Sequence, residues 1–122
     1  MTDEIRLTLP AQEDFRHVAH LVVGGLGARR ELTFEDLEDL QVAFDALLAC
    51  REDDEDIEMT LCVEDNEVRA TVGPFDADAL AKLDEASTGL APRRIVETVC
   101  DSISVRERDG ASWIDVTKQV PA

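Results

Sequence analysis

Basic residues are scarce in this chain. Its 122 residues hold twelve Lys and Arg against twenty-eight Asp and Glu, a formal net charge of −16 at neutral pH. Proteins that hold DNA or RNA neutralise phosphates with basic side chains, so this balance argues against a nucleic-acid partner. An anionic membrane surface is disfavoured for the same reason. Long apolar runs are also lacking. The longest, around Leu21 to Leu26, is interrupted by Gly24 and Gly25 and falls far short of the roughly 20 residues that span a bilayer. Cysteine is sparse and unpaired in pattern: Cys50, Cys62 and Cys100 are an odd number with no Cys-x-x-Cys. They read as reduced core thiols, with no disulfide or metal role. Met1-Thr2-Asp3-Glu4 places acid where a targeting signal carries base, and no apolar segment follows. The expected location is the cytoplasm. Trp113 is the only tryptophan; one aromatic makes no stacking platform, and it reads as a core or sheet-face residue.

Hydrophobic residues make up 44% of the chain, enough for the core of one domain of this length. Ile5, Leu7 and Leu9 alternate with Arg6 and Thr8, the period of a half-buried strand. Pro10 opens a helical segment with Glu13 and Asp14 in its first turn and Phe15, Val18, Ala19, Val22 and Leu26 at helical spacing. Gly24, Gly25 and Gly27 are expected to end this helix and to permit close backbone approach. Thr33-Phe34-Glu35-Asp36 predicts a capped start for a second helix, whose apolar stripe is Leu37, Leu40, Phe44, Leu47 and Leu48. The acid run Glu52 to Asp56 reads as a solvated loop, since it lacks the glycine and the spaced bidentate Glu of a calcium loop.

Alternation returns at Ile57, Met59, Leu61 and Val63, then at Val68, Ala70 and Val72 across an Asp65-Asn66 turn, with Gly73-Pro74 ending the strand. Asp76 can cap a short helix, Pro92 can open another, and Asp109-Gly110 joins a last hairpin. Each strand is apolar on one face only, which excludes a doubly wound sheet buried on both sides. The predicted fold is α+β: a two-layer sandwich of about five strands in a mixed, mostly antiparallel sheet, with the helices on one face. Residues 1–122 are expected to form one domain.

Several stretches carry a resemblance. They are Leu7-Thr8-Leu9-Pro10-Ala11, Val23-Gly24-Gly25-Leu26-Gly27-Ala28-Arg29, the run from Thr33 to Ala43, and the run from Ile95 to Val105. In this order and spacing, over nearly the whole chain, the sequence resembles the small anti-sigma factors with a histidine-kinase-type (GHKL) ATPase fold. Those are serine kinases that bind a sigma factor of RNA polymerase and phosphorylate an anti-anti-sigma partner.

The resemblance implies a nucleotide pocket, and the matching positions depart from it. The family carries on its second helix a Glu as general base and, four residues on, an Asn that holds the Mg²⁺ of ATP. Alignment on Glu38-Asp39-Leu40 puts Ala46 and Cys50 there. A methyl takes no proton, and a thiol is a poor ligand for a hard cation. Asp45 is adjacent, but one helical step turns it about 100° off that face. The Asp that reads adenine is matched by Pro74 within Gly73-Pro74-Phe75-Asp76, and the glycine-rich lid is shortened to Gly89-Leu90-Ala91-Pro92. The pocket formed by Ala46, Cys50, Gly73, Pro74, Asp76 and Gly89 is therefore expected to be vestigial, with no catalytic residue, no metal, and the ATP and Mg²⁺ of the family lost.

His17 and His20 lie three apart but have no matching ligand set for zinc. Gly24-Gly25-Leu26-Gly27 follows a helix, where a phosphate loop links a strand to a helix start. Arg16, His20, Gly24 and Arg29 are the expected partner-facing residues, since relatives present this first helix to their partners. The functional expectation is a regulator that sequesters a sigma factor, or an anti-anti-sigma or phosphatase partner, as a homodimer and without ATP turnover. An active serine kinase with replaced ligands and a purely structural dimerisation module are the alternatives.

Overall fold

The computed structural model describes residues 3–10, 16–30, 32–51, 55–86 and 89–120. Their order is β1 (Asp3–Leu9), α1 (Arg16–Arg30), α2 (Phe34–Leu48), β2 (Ile57–Glu64), β3 (Glu67–Phe75), α3 (Ala77–Lys82), α4 (Pro92–Val99), β4 (Ser102–Arg108) and β5 (Ala111–Gln119). The five strands form one sheet in the spatial order β1-β2-β3-β5-β4. This is the α+β architecture that the alternation predicts.

The sheet is antiparallel at every pairing, which corrects the expectation of a mixed sheet. Two helices separate β1 from β2, and a helical pair returns the chain to the end of the sheet it left, so β2 runs back along β1. β3 and β4 do point the same way, but β5 folds between them and keeps them from being neighbours.

One face of the sheet carries the core. Ile57, Met59, Leu61 and Val63 of β2, Val68, Ala70 and Val72 of β3, and Ile114 and Val116 of β5 are buried with Val23 and Leu26 of α1, Leu40, Phe44 and Leu47 of α2, and Val96 of α4. Burial of that much aliphatic surface is the main stabilising contribution, at about 25 cal/mol per Å².

Local signals set the element ends. The Thr33 hydroxyl accepts from the Asp36 N–H at 3.0 Å and the Asp36 carboxylate accepts from the Thr33 N–H at 3.3 Å, a reciprocal cap on α2. Asp76 accepts from the Ala79 N–H at 2.8 Å and starts α3. Asp109 and Gly110, at φ 54° and 81°, make the left-handed turn that joins β4 to β5.

Two boundaries differ from expectation. α1 does not end in its glycines; it runs through them to Arg30, because Ala19, Val23 and Leu26 bury its inner face and packing outweighs propensity. Its expected acidic first turn at Glu13 and Asp14 lies outside the described residues. β3 does not stop at Gly73-Pro74 either. It continues across a cis Gly73–Pro74 bond to Phe75, with one extra residue between Val72 and Phe75 relative to β5. That bulge turns Phe75 back into the core, where it is 1% exposed.

A lysine joins the layers. Lys118 follows Ile114 and Val116 on the inner face of β5, and its ammonium donates to Asp39 Oδ2 of α2 at 3.0 Å and to the carbonyl of Val99 in α4 at 2.8 Å.

The glycines of α1 are not equivalent. A Cβ at Gly27 would stand 2.4 Å from Leu37 Cδ2 and 3.1 Å from its Cγ, so the Leu37 side chain of α2 packs into the space that a larger residue would need and would have to shift; Gly24 and Gly25 have nothing within 4 Å. Gly27→Ala should therefore lower unfolding stability by about 1–2 kcal/mol through overpacking. Gly24→Ala and Gly25→Ala should each raise it by about 0.5–1 kcal/mol. Urea denaturation of the three variants checks both signs.

Candidate functional site

The second helix delivers the first two residues of the expected pocket. Ala46 is half-buried on α2, and Cys50 lies just past its end, 2% exposed. The Cys50 thiol donates to the Ala46 carbonyl at 3.5 Å, one turn back along the helix. Burial, with a smaller push from Asp84 and a pull from Lys82 in the other direction, raises its pKa to about 11. At neutral pH this group is a protonated thiol in an apolar setting, and only the thiolate binds metals well.

Asp45, the neighbouring acid, is occupied elsewhere. Its Oδ1 meets Nε2 of His20 on α1 at 2.9 Å. The helical step that separates it from Ala46 turns it toward the seam between α1 and α2. His17 stands edge-on to His20, with ring centroids 6.3 Å apart. Among the described residues no cluster of His, Cys, Asp and Glu is suited to a metal ion.

The remaining residues of the expected pocket do not gather around Cys50. A Cβ on Gly73 would meet the Trp113 ring at 2.6 Å, and Trp113 belongs to the row of β5 that alternates with buried Ile114 and Val116. Gly73 therefore faces the open side of the sheet, away from the helices. Pro74 is half-buried in the bulge of β3. Asp76 is exposed and spends its carboxylate on the α3 cap. Gly89, at φ 136°, is exposed ahead of α4; Ser87 and Thr88 lie outside the described residues. What lies between α2, β3 and α3 is apolar: Phe75, Ala79 and Leu83 are each 4% exposed or less and belong to the same core as Leu47, Cys50 and Val96.

The first helix presents His17, Leu21, Gly25 and Ala28 outward. Leu21 is 75% exposed, a large apolar side chain on a surface helix. Of the expected partner-facing residues, His20 and Gly24 are half-buried, and His20 is turned into the α1–α2 seam. Arg16 and Arg29 lie on α1, but their side chains fall outside the described residues.

Sequence reasoning missed several polar contacts. Arg51 is buried, and its guanidinium donates to the carbonyls of Glu55 and Asp56 at 3.0 and 3.1 Å, drawing the end of the acid run back to the start of β2. Residues 52–54 of that run lie outside the described residues; Glu55 and Asp56 are exposed, as a solvated loop requires. Cys62, expected in the core, is half-buried on the open face of β2 because it alternates with Leu61 and Val63. All three cysteines are free thiols.

The scaffold has a counterpart among solved structures. The chain is similar to the crystal structure of the RsbU and RsbW domains of Rv1364c from Mycobacterium tuberculosis, with a TM-score of 0.70 and 16% sequence identity over 97% of this chain. The likeness is one of fold. This chain spans 32% of the length of that neighbour, about the share of one domain in a longer protein. By sequence, no protein-family model and no curated protein matches. No helix among the described residues is long and apolar enough to cross a membrane.

The thiols allow a direct check of this geometry. At pH 8 the native protein should react with a disulfide reagent first at Cys62, while Cys50 and Cys100 should react only on unfolding. Burial, the largest influence on Cys100 as on Cys50, raises its pKa to about 11 as well. Both folded values lie above the ordinary value of 9.0, so folding favours the protonated thiols. Their contribution is intact below pH 9 and is lost as pH rises toward 11. Denaturant midpoints measured across that window should fall, and Cys50→Ala should flatten part of the decline.

Proposed function

We propose that the chain is a protein-binding regulator of the anti-sigma type that works in the cytoplasm by occlusion and turns over no ATP. Its partner in this reading is a sigma factor or an anti-anti-sigma or phosphatase regulator, held against the outer surface of α1. The fold shared with the RsbU and RsbW domains of Rv1364c supports the general class. The observation that carries the finer reading is Cys50. Where the resemblance calls for a magnesium ligand, the chain has a thiol 2% exposed, bonded to its own helix, with its pKa pushed up to about 11 by burial.

The outer surface of α1 suits a protein partner. Leu21 stands 75% exposed in a short row with Gly25 and Ala28, whose small side chains let a second backbone approach. A formal charge of −16 favours rapid encounter with a basic partner surface, because opposite fields raise association rates. Sequestration would then be relieved by competition between partners, and the homodimer expected of this family belongs to the same proposal.

Isothermal titration with Mg·ATP should give no saturable heat; binding at micromolar affinity would overturn the vestigial-pocket reading. Affinity capture from the native host, read by mass spectrometry, should recover a sigma-pathway protein. Leu21→Asp should weaken that capture at least about tenfold, the cost of one well-buried apolar contact, with an unchanged circular dichroism spectrum. Recovery of no such protein would point instead to a structural dimerisation module.

A further inference from the structure

The first two helices carry most of the apolar surface that the fold leaves uncovered. Among the described residues the exposed large apolar side chains are Leu21, Phe34, Val42 and Leu90, and the first three lie on α1 and α2. These helices run antiparallel, side by side: His20 meets Asp45 at 2.9 Å near one end, and Gly27 packs against Leu37 near the other. Leu21 follows His20, and Val42 precedes Asp45 by about one turn, so the two stand level across the seam. Phe34 lies about 12 Å from Val42 along α2, at 1.5 Å per residue.

Spacing gathers these side chains on one outer surface. On α2, Phe34, Glu38 and Val42 are exposed at intervals of four and share a helix face. On α1, Leu21, Gly25 and Ala28 are exposed in the same way. Gly24 is half-buried between the two rows, and a Cβ built on it or on Gly25 meets nothing within 4 Å. The seam is therefore open at Gly24, with apolar side chains on both of its rims.

The charge of this surface has an excess of one sign. α2 contains Glu35, Asp36, Glu38, Asp39 and Asp45 and neither Lys nor Arg. Asp36 caps its own helix, Asp39 receives Lys118 and Asp45 faces His20. Glu35 and Glu38 are exposed, and neither has an ion-pair or hydrogen-bond partner for its carboxylate among the described residues. Arg16, Arg29 and Arg30 stand at the two ends of α1; with them counted, the segment 16–48 still holds six Asp and Glu against three Arg.

We propose that the α1–α2 seam is a docking groove for an amphipathic helix of the partner protein, apolar along one stripe and carrying Lys or Arg beside it. The inference rests on the protein-binding reading above, to which it adds the contribution of α2 and the form of the partner. Charge complementarity gives the sign, since basic residues flanking the stripe meet Glu35 and Glu38. The seam also selects a helix over an extended chain. Backbone groups within α1 and α2 are bonded along their own helices, so this surface offers side chains and no sheet edge. An extended segment laid on Leu21, Phe34 and Val42 would leave its own N–H and C=O groups against apolar side chains, whereas a helix satisfies them internally. Apolar residues at every third or fourth position of that helix meet the rims, and about three turns cover the distance from Phe34 to Val42.

A labelled peptide of Leu and Lys at helical spacing, about 18 residues long, tests the groove by fluorescence anisotropy with the full chain. It should bind saturably, while a Leu/Glu counterpart and a Gly/Lys peptide of the same charge should not. Phe34→Ser, Val42→Ser and Glu38→Lys, all at exposed positions, should each weaken binding about tenfold. Leu90→Ser and Glu97→Lys make the same kinds of change at exposed positions off these helices and should bind as the parent does. No binding of the Leu/Lys peptide, or equal weakening by Leu90→Ser and Glu97→Lys, would overturn the proposal. So would a dimer of the chain that dissociates on Phe34→Ser, which would assign the seam to a second copy. The two readings fail separately. Affinity capture of a sigma-pathway protein that is unchanged by Phe34→Ser and Glu38→Lys would sink the groove and leave the regulator. Peptide binding as expected, with no such protein captured, would sink the sigma-pathway reading and leave the groove.

Discussion

A single ammonium group ties together the parts of this fold that hydrophobic burial alone would leave free to slide. Lys118 lies on the inner face of β5, where the alternation of Ile114 and Val116 calls for another aliphatic residue. Its stem is buried with the core while Nζ reaches Asp39 on α2 and the last turn of α4 at the Val99 carbonyl. Burial pulls the ammonium toward deprotonation, but the hydrogen bond and charge of Asp39 outweigh that pull and leave its pKa raised. The group therefore stays charged through the physiological range, and its directional bonds hold two helices in register on one strand. Apolar contacts are non-directional and fix no such register.

The two layers that Lys118 joins have different chemistries. On the helix side, residues at or beside the positions that the resemblance assigns to a nucleotide pocket make local bonds: Cys50 donates to the Ala46 carbonyl, the neighbouring Asp45 meets His20, and Asp76 caps α3. On the open side, Gly73 gives Trp113 a seat, and arginines from both edge strands stand over a floor of threonines.

The order of elements was legible in the sequence because one-sided strands and capped helices are local patterns: Ile57 to Val63 alternates, Thr33 and Asp36 cap, and Asp109-Gly110 turns. The errors have physical sources. The glycines of α1 carry low helix propensity, yet the helix continues because Val23 and Leu26 are buried beneath them, which no local pattern registers. The extension of β3 to Phe75 depends on a bulge against β5, whose residues Ser112 and Ile114 are far along the chain from their partners Phe75 and Val72. Cys50 entered the expected pocket through the family resemblance, and its burial follows from its place at the end of the apolar stripe of α2. That Gly73 faces the other side of the sheet follows from β-alternation with Val72, a signal available in the sequence and outweighed by the resemblance. Lys118 also left a trace, as a charged residue breaking the apolar row of β5; its partners on α2 and α4 did not.

The placement of β1 has a consequence for how the fold comes together. Leu9 pairs with Ile57 and Asp3 with Val63, so this strand finds its neighbour across the whole α1–α2 segment. The strands of the β2–β3 and β4–β5 hairpins are separated by turns alone. Loop-closure entropy grows with the length of chain enclosed, and contacts between distant residues form late for that reason. The two hairpins therefore close at the lowest entropic cost, while the β1–β2 and β3–β5 pairings both enclose long stretches of chain and cost more to form.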